Sequence, residues 1–171
     1  MCNTAAFVER GGRTLFALTV VGISVLGLTP SASSGDFLEL QSLTGQEQSL
    51  LQAMNQARAA HGAPPLLVGI RLQRAAKAHS RAMARSGSFT HGNWYQRLRR
   101  FGVRSRTVGE NIAWGVGSDG TAAAIVGMWL ASPSHRSTML SRAFRRVGIG
   151  VAVGRMDGFS GARVATADFG G

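Results

Sequence analysis

Three side chains in the second half of the chain are of types that move protons or hold cations: His91 in SFTHG, Glu110 in GENIAWG and His135 in SPSHR. An imidazole titrates close to neutrality and serves as acid, base or zinc ligand there. Glu110, between a glycine and an amide in an otherwise apolar stretch, needs a partner if it is buried. Read as function, Glu110 pairs with a histidine as base, orienter or metal ligand. Read as structure, it ties down neighbouring backbone amides, and each histidine hydrogen-bonds its own loop. The two histidines are far apart in sequence, unlike the short spacing of a zinc motif carried on one helix. Spacing alone leaves both readings open.

The remaining candidates read more simply. His79 falls on the apolar side of a helix and is expected to be a satisfied interior histidine. His61 closes a helix, where an imidazole complements the dipole. Trp114 and Trp129 read as core. Trp94 and Tyr95 follow His91 closely, and either pack inside or wall a cleft by stacking on a sugar ring or acyl chain. Asp168, in the terminal ADFG, receives no role.

These residues need elements to hold them. Thr44 and Glu47 form a capping box, so a helix is expected from Thr44, with Leu50, Leu51, Met54 and Ala57 on one face and a stop at Gly62, Pro64 and Pro65. A second helix over 70–86 places Leu72, Ala75, Ala76, His79 and Met83 together and ends at Gly87. A third runs from Asn93 to Phe101. Asp119 is a plausible cap for a fourth with Ala122, Ile125, Val126 and Trp129. Ser132 and Pro133 then start a short helix with His135 in its first turn. Val147, Ile149, Val151 and Val153 alternate with glycine or alanine, a strand with one bulky face. Asp157-Gly158 is a turn signal, ARVATADF returns as its partner, and Val108 to Trp114 is a third strand. Helices bracketing a small antiparallel sheet define an α+β domain layered helix, sheet, helix.

The chain has 171 residues and a formal charge of +11, from 19 Lys plus Arg against 8 Asp plus Glu. Arg10 and Arg13 precede the uncharged run TLFALTVVGISVLGLT and the small residues PSASSG, the order of a secretory signal peptide over residues 1–34. An uncleaved anchor is the rival reading. The single cysteine, Cys2, lies ahead of that run, so the exported part carries no disulfide and rests on its apolar core. Residues 35–43 read as a short linker and 44–171 as the domain. Export to the periplasm or beyond removes the protein from the genome, so no nucleic acid partner is expected.

Arg71, Arg74, Lys77, Arg81 and Arg85 recur every three or four residues along the second helix, away from its apolar side. With Arg97, Arg99 and Arg100 they make an expected anionic-ligand surface, arginine being suited to bidentate phosphate and carboxylate contacts. A merely solubilising face is the alternative.

The succession SGSFTHG, VGENIAWG, MWLASPSHRSTML, VGIGVAVG and ADFG resembles the bacterial branch of the CAP superfamily, also called SCP/PR-1-like, over Ser49 to Gly171. The resemblance implies an α-β-α sandwich in which His91, Glu110, Ser132 and His135 line a central cleft, with a divalent metal, zinc first, held by His91 and His135. Ser132 stands where the eukaryotic pattern has an acid, which weakens a four-residue catalytic scheme. The leading expectation is therefore a monomeric, non-catalytic module. It would engage envelope polymer, anionic lipid or a small lipid ligand through the cleft and the basic surface. The alternative is a zinc-assisted hydrolase, with Glu110 as the candidate catalytic group passing the proton of a zinc-activated water. A serine hydrolase on Ser132 or Ser134 lacks the glycine pattern of a nucleophile elbow.

Overall fold

The computed structural model describes residues 43–171; the expected signal peptide and almost all of the linker lie outside them. Among the described residues no helix is long and apolar enough to cross a membrane. Leu43, assigned to the linker, is instead buried in the main core.

Helix α1 (Gly45–Ala60) begins at the capping box: Glu47 Oε2 accepts from the Thr44 amide at 2.8 Å, and Thr44 Oγ1 accepts from the Glu47 amide at 3.4 Å. The short strand β1 (Leu67–Val68) leads into helix α2 (Ile70–Ser86), which Gly87 ends in a left-handed conformation. Helix α3 (Trp94–Arg100) is capped by Asn93, whose Oδ1 accepts from the Gln96 amide. Strand β2 (Val108–Gly115) follows, then helix α4 (Ala122–Ala131), helix α5 (Pro133–Leu140) and the hairpin β3 (Arg146–Met156) and β4 (Phe159–Gly170). Asp157 and Gly158 both have positive φ, 48° and 81°, which is how a two-residue turn matches the twist of its strands.

Two expectations are corrected. Thr121, not Asp119, caps α4 by accepting from the Ala124 amide, because Asp119 is taken up in a 3-10 turn at Gly117–Gly120. The sheet is not wholly antiparallel. Its order is β1-β3-β4-β2, with β1 parallel to β3 and the other pairs antiparallel. A two-residue strand carries too little pattern to be legible.

Helix α2 covers one face of the sheet, with α3 against it, and α1, α4 and α5 cover the other. The main core lies on the α1 side, where Val147, Ile149, Ala165, Ala167 and Phe169 meet Leu50, Met54 and Trp129. On the α2 side the glycines of β3 let a helix backbone lie directly on the strand. A Cβ on Gly148 would fall 1.9 Å from the Leu72 carbonyl carbon, and one on Gly150 2.3 Å from the Ala76 oxygen. Gln73 uses this closeness to bond both backbone groups of Ile149, at 2.5 and 2.7 Å, supplying edge hydrogen bonds beyond the end of β1. Gly150→Ala is expected to cost about 2–3 kcal/mol through overpacking. Gly127→Ala, in α4 with open space around its Cβ, should gain about 0.5–1 kcal/mol. Urea denaturation of the two variants checks both signs.

Candidate functional site

The site forms along β2, the edge strand, where the two helical layers meet. Alternation turns Ile112 toward Met83 and Ala84 of α2, and Ala113 toward the main core. Glu110 shares the Ile112 face, so its carboxylate points under α2 with a side-chain exposure of 1%. Asn111 points the other way and donates from Nδ2 to the carbonyl of His135 at 2.9 Å, fixing the start of α5. His91 arrives from the loop between α2 and α3. That loop is tied by His79, whose Nε2 donates to Thr90 O at 2.9 Å, and by Arg97, whose Nη1 donates to His91 O at 3.3 Å. His79 is thus the interior histidine expected, and it positions the segment that carries His91. His61 closes α1, with Nδ1 2.7 Å from Ala57 O.

The three sequence candidates do come together. His91 Nδ1 lies 2.8 Å from Glu110 Oε1, and the His91 and His135 rings stand 6.3 Å apart between centroids. Two further residues join them. Arg97, assigned above to the exposed basic surface, turns inward and pairs through Nη2 with Glu110 Oε2. Asp168, given no role from sequence, is fully buried and sits opposite Glu110 in the β2–β4 ladder, with Oδ1 3.8 Å from Arg97 Nη2. Neither Asp168 oxygen nor Arg97 Nε has a hydrogen-bond partner among the described residues.

Two buried carboxyls therefore face one guanidinium. Burial pushes Glu110 up to about 7, against the pull of Arg97. Burial, and then the charge of Glu110, raise Asp168 well above the usual carboxylate range, with Arg97 opposing. Protonation of one of the two acids relieves their repulsion. The imidazoles move the other way. Burial and then Arg97 lower His79 to about 4, the same two causes lower His91, and burial followed by His91 lowers His135. His91 is therefore held toward its neutral form, and against an ionised Glu110 its Nδ1 carries the proton and Nε2 the lone pair.

These geometries decide what the site would do with zinc. Two neutral imidazoles are suitable ligands, but among the described residues no group of three or more His, Cys, Asp and Glu side chains is arranged to hold an ion. The nearest carboxylate already carries Arg97. The residues fit an ion held by two imidazoles and otherwise by water, and they do not fit the three-protein-ligand set of a catalytic zinc.

Ser132 lines an apolar groove of about 310 Å³ beside His135, with Phe89, Trp114 and Met128 among its walls. Its hydroxyl is 3.4 Å from that of Ser134 and makes no cap to α5. Trp94 packs instead against the Leu72 and Leu98 cluster, and Tyr95, edge-on to it, is exposed. The aromatic wall of this groove comes from Phe89 and Trp114. Of the expected basic surface, Arg71, Arg74, Arg81, Arg85, Arg99 and Arg100 are exposed, while Lys77 pairs with buried Glu47 at 3.1 Å.

A helix-sheet-helix sandwich with this cleft on its edge strand defines the class of protein. The model of the CAP, cysteine-rich secretory protein family matches residues 51–169, and the chain belongs to that family. It is 30% identical over 114 residues to the uncharacterized protein YkwD of Bacillus subtilis (strain 168), covering 64% of this chain and 43% of that one. An extracellular SCP-domain protein of Bacillus anthracis superposes with a TM-score of 0.60 at 29% identity, over 74% of this chain and 40% of the other. A cysteine-rich secretory protein of Staphylococcus aureus shares the fold, with a TM-score of 0.57, 22% identity and coverage of 72% and 38%. The chain thus spans less than half the length of these three relatives.

Proposed function

We propose that this protein is an exported CAP-domain binding module that holds anionic envelope polymer or lipid on its basic face, without turnover. Export is supported by the N-terminal apolar run and by the extracellular and secretory names of the relatives. The observation that carries the proposal is the placement of Arg97. The acid in contact with His91 is held by a guanidinium and backed by a second buried carboxyl, so it is offered neither to a metal nor as a free base. What the fold leaves open to solvent is charge: Arg74, Arg81 and Arg85 on the outer side of α2, with Arg99 and Arg100 on α3.

Sedimentation of the purified protein with isolated envelope fractions tests this. Retention at low salt, lost as the Debye length falls from about 30 Å at 0.01 M toward about 3 Å at 1 M, is the expected result. No retention by any fraction at low salt contradicts it. Zinc titration of the same protein separates the hydrolase reading. Stoichiometric, tight zinc binding abolished by His91→Ala, together with zinc-dependent cleavage of an envelope ester or amide, would replace the proposal.

A further inference from the structure

Alternate residues of β2 turn their backbone groups away from the rest of the sheet. Thr107 and Gly171, just before β2 and just after β4, exchange both amide hydrogen bonds: Gly171 N donates to Thr107 O at 2.9 Å and Thr107 N to Gly171 O at 3.4 Å. Counted by twos along the register from that pair, Gly109, Asn111, Ala113 and Gly115 bond to β4. Glu110, Ile112 and Trp114 therefore direct N–H and C=O to the open side. The bond from Trp129 Nε1 to Ile112 O at 3.0 Å agrees with that parity and occupies half of the rung at Ile112. Among the described residues nothing bonds the Ile112 amide or either backbone group of Trp114, and no strand lies beyond β2 in the sheet.

The opposite edge is closed by the protein's own side chains. Past the end of β1, Gln73 bonds both backbone groups of Ile149, and Glu47 Oε1 accepts from the Val151 amide at 3.4 Å. The free edge of β2 instead forms the floor of an apolar groove. One part, about 310 Å³, is lined by Ile112, Ala113 and Trp114 with Phe89 and His135. A second, about 480 Å³, continues from Trp114 past Val116 to Phe159, and Trp114 and Met128 line both. Phe89, Met128 and Phe159 are exposed. In a chain of formal charge +11, neither part is lined by Lys or Arg among the described residues, and the acid in the lining is Asp119.

The polar strip in this floor selects the occupant. An acyl chain laid over it would take the Ile112 and Trp114 groups out of water and leave them unpaired, which is unfavourable. An extended peptide replaces those bonds, and its alternate side chains reach the two walls, Phe89 and Trp114 on one side and Met128 of α4 on the other. We infer that β2 takes up an extended polypeptide segment as a fifth strand, paired on Trp114 and the Ile112 amide, with apolar side chains in the groove and a cationic residue beside Asp119. The partner is a protein segment, not a polyanion, and the site is separate from the arginines on the outer side of α2. It goes beyond the envelope-binding reading and does not depend on it.

The test is an NMR titration of the intact protein, following backbone amides and tryptophan indoles. The probe is a blocked pentapeptide of alternating valine and leucine ending in lysine, made in both sequence directions. One direction is expected to shift Ile112 to Val116 and the Trp129 indole saturably, with Kd about 1 mM or tighter. Methylating one alternate set of its amides should weaken binding about tenfold, and methylating the other set should leave it unchanged, since only one set faces the partner strand. Glutamate in place of the lysine should weaken binding about threefold, a difference that Asp119→Asn removes. Met128→Lys, at an exposed position of α4, should abolish binding without changing the rest of the spectrum. Decanoate is titrated in parallel. Equal effects of the two methylated sets, saturable binding of decanoate but of neither peptide, or no saturable shift at Ile112 to Val116 up to about 5 mM peptide overturns the inference. Shifts of the same amides that follow protein concentration alone would give the edge to a second copy of the chain and overturn it as well.

Discussion

Arg97→Ala should destabilise the protein by about 3–5 kcal/mol at pH 8, the cost of leaving buried charge without its partner, and by much less at pH 5. The pH dependence follows from which state holds the proton. Glu110 is raised to about 7 in the folded protein from an ordinary value near 4.5, and Asp168 is raised as well. A folded-state pKa above the unfolded one gives stability that is present below the unfolded value and lost as pH rises through the folded value. Removing the guanidinium raises both acids further, so the pH-dependent part of the Arg97→Ala penalty opens as pH rises through about 7, where Glu110 of the wild type ionises. At pH 8 the double variant Arg97→Ala with Asp168→Asn should recover part of the loss, since one of the two facing acids is gone. Urea denaturation at the two pH values checks this. An equal loss at both would mean that Arg97 acts by packing alone.

The neutral histidines work against the acids. His79 is lowered to about 4, and His91 and His135 are also lowered, so their contribution is lost as pH falls below the ordinary histidine value near 6.5. In wild type the two trends oppose each other between about pH 4.5 and 6.5. The acid pair dominates above that range.

Arg58→Ala should be comparably severe, at about 3–5 kcal/mol, and almost independent of pH. Arg58 is fully buried, yet its hydrogen-bond partners among the described residues are backbone carbonyls and not an acid: Nε donates to Pro64 O at 2.8 Å, Nη1 to Met139 O at 2.5 Å and Ser141 O at 3.1 Å, and Nη2 to Phe144 O at 3.2 Å. It pins the turn between α5 and β3 onto α1. Truncation takes the donor from the Pro64 and Met139 carbonyls, each costing about 1–3 kcal/mol before relaxation, whereas Ser141 O keeps the Phe144 amide and Phe144 O keeps Arg145 Nη1. Against a typical stability of about 5–15 kcal/mol this removes much of the margin. Denaturant midpoints at pH 5 and pH 8 should shift by similar amounts, in contrast to Arg97→Ala. A change below about 1 kcal/mol would show that water or a rotated turn satisfies the carbonyls.

These two arginines mark where the sequence stops being legible. Helix α2, with its glycine stop and apolar face, and the β3–β4 hairpin, with Asp157-Gly158 at its turn, announce themselves because their signals are local. The order of motifs likewise joined His91, Glu110 and His135. Arg58 and Arg97 carry no such mark. One sits on a helix in which charge is ordinary, and the other lies in a run of arginines that reads as solvent-facing. Their roles depend on carbonyls and carboxyls distant in the chain. Asp168 was hidden for the same reason, since only the register of β4 against β2 sets it beside Glu110. Its acidic place in an apolar strand is the signal that, with a pairing register, would have found it.

Two faces of one small domain are thereby distinguished: a cleft whose acid is internally neutralised, and an arginine surface that is not. The most direct measurement is retention on envelope fractions, across a salt series, of wild type, an Arg74→Gln/Arg81→Gln/Arg85→Gln variant and a His91→Ala/His135→Ala variant. Loss of retention in the arginine variant, with the histidine variant retained like wild type, is the predicted result. Salt-independent retention that survives the arginine changes and disappears with the histidines would contradict it.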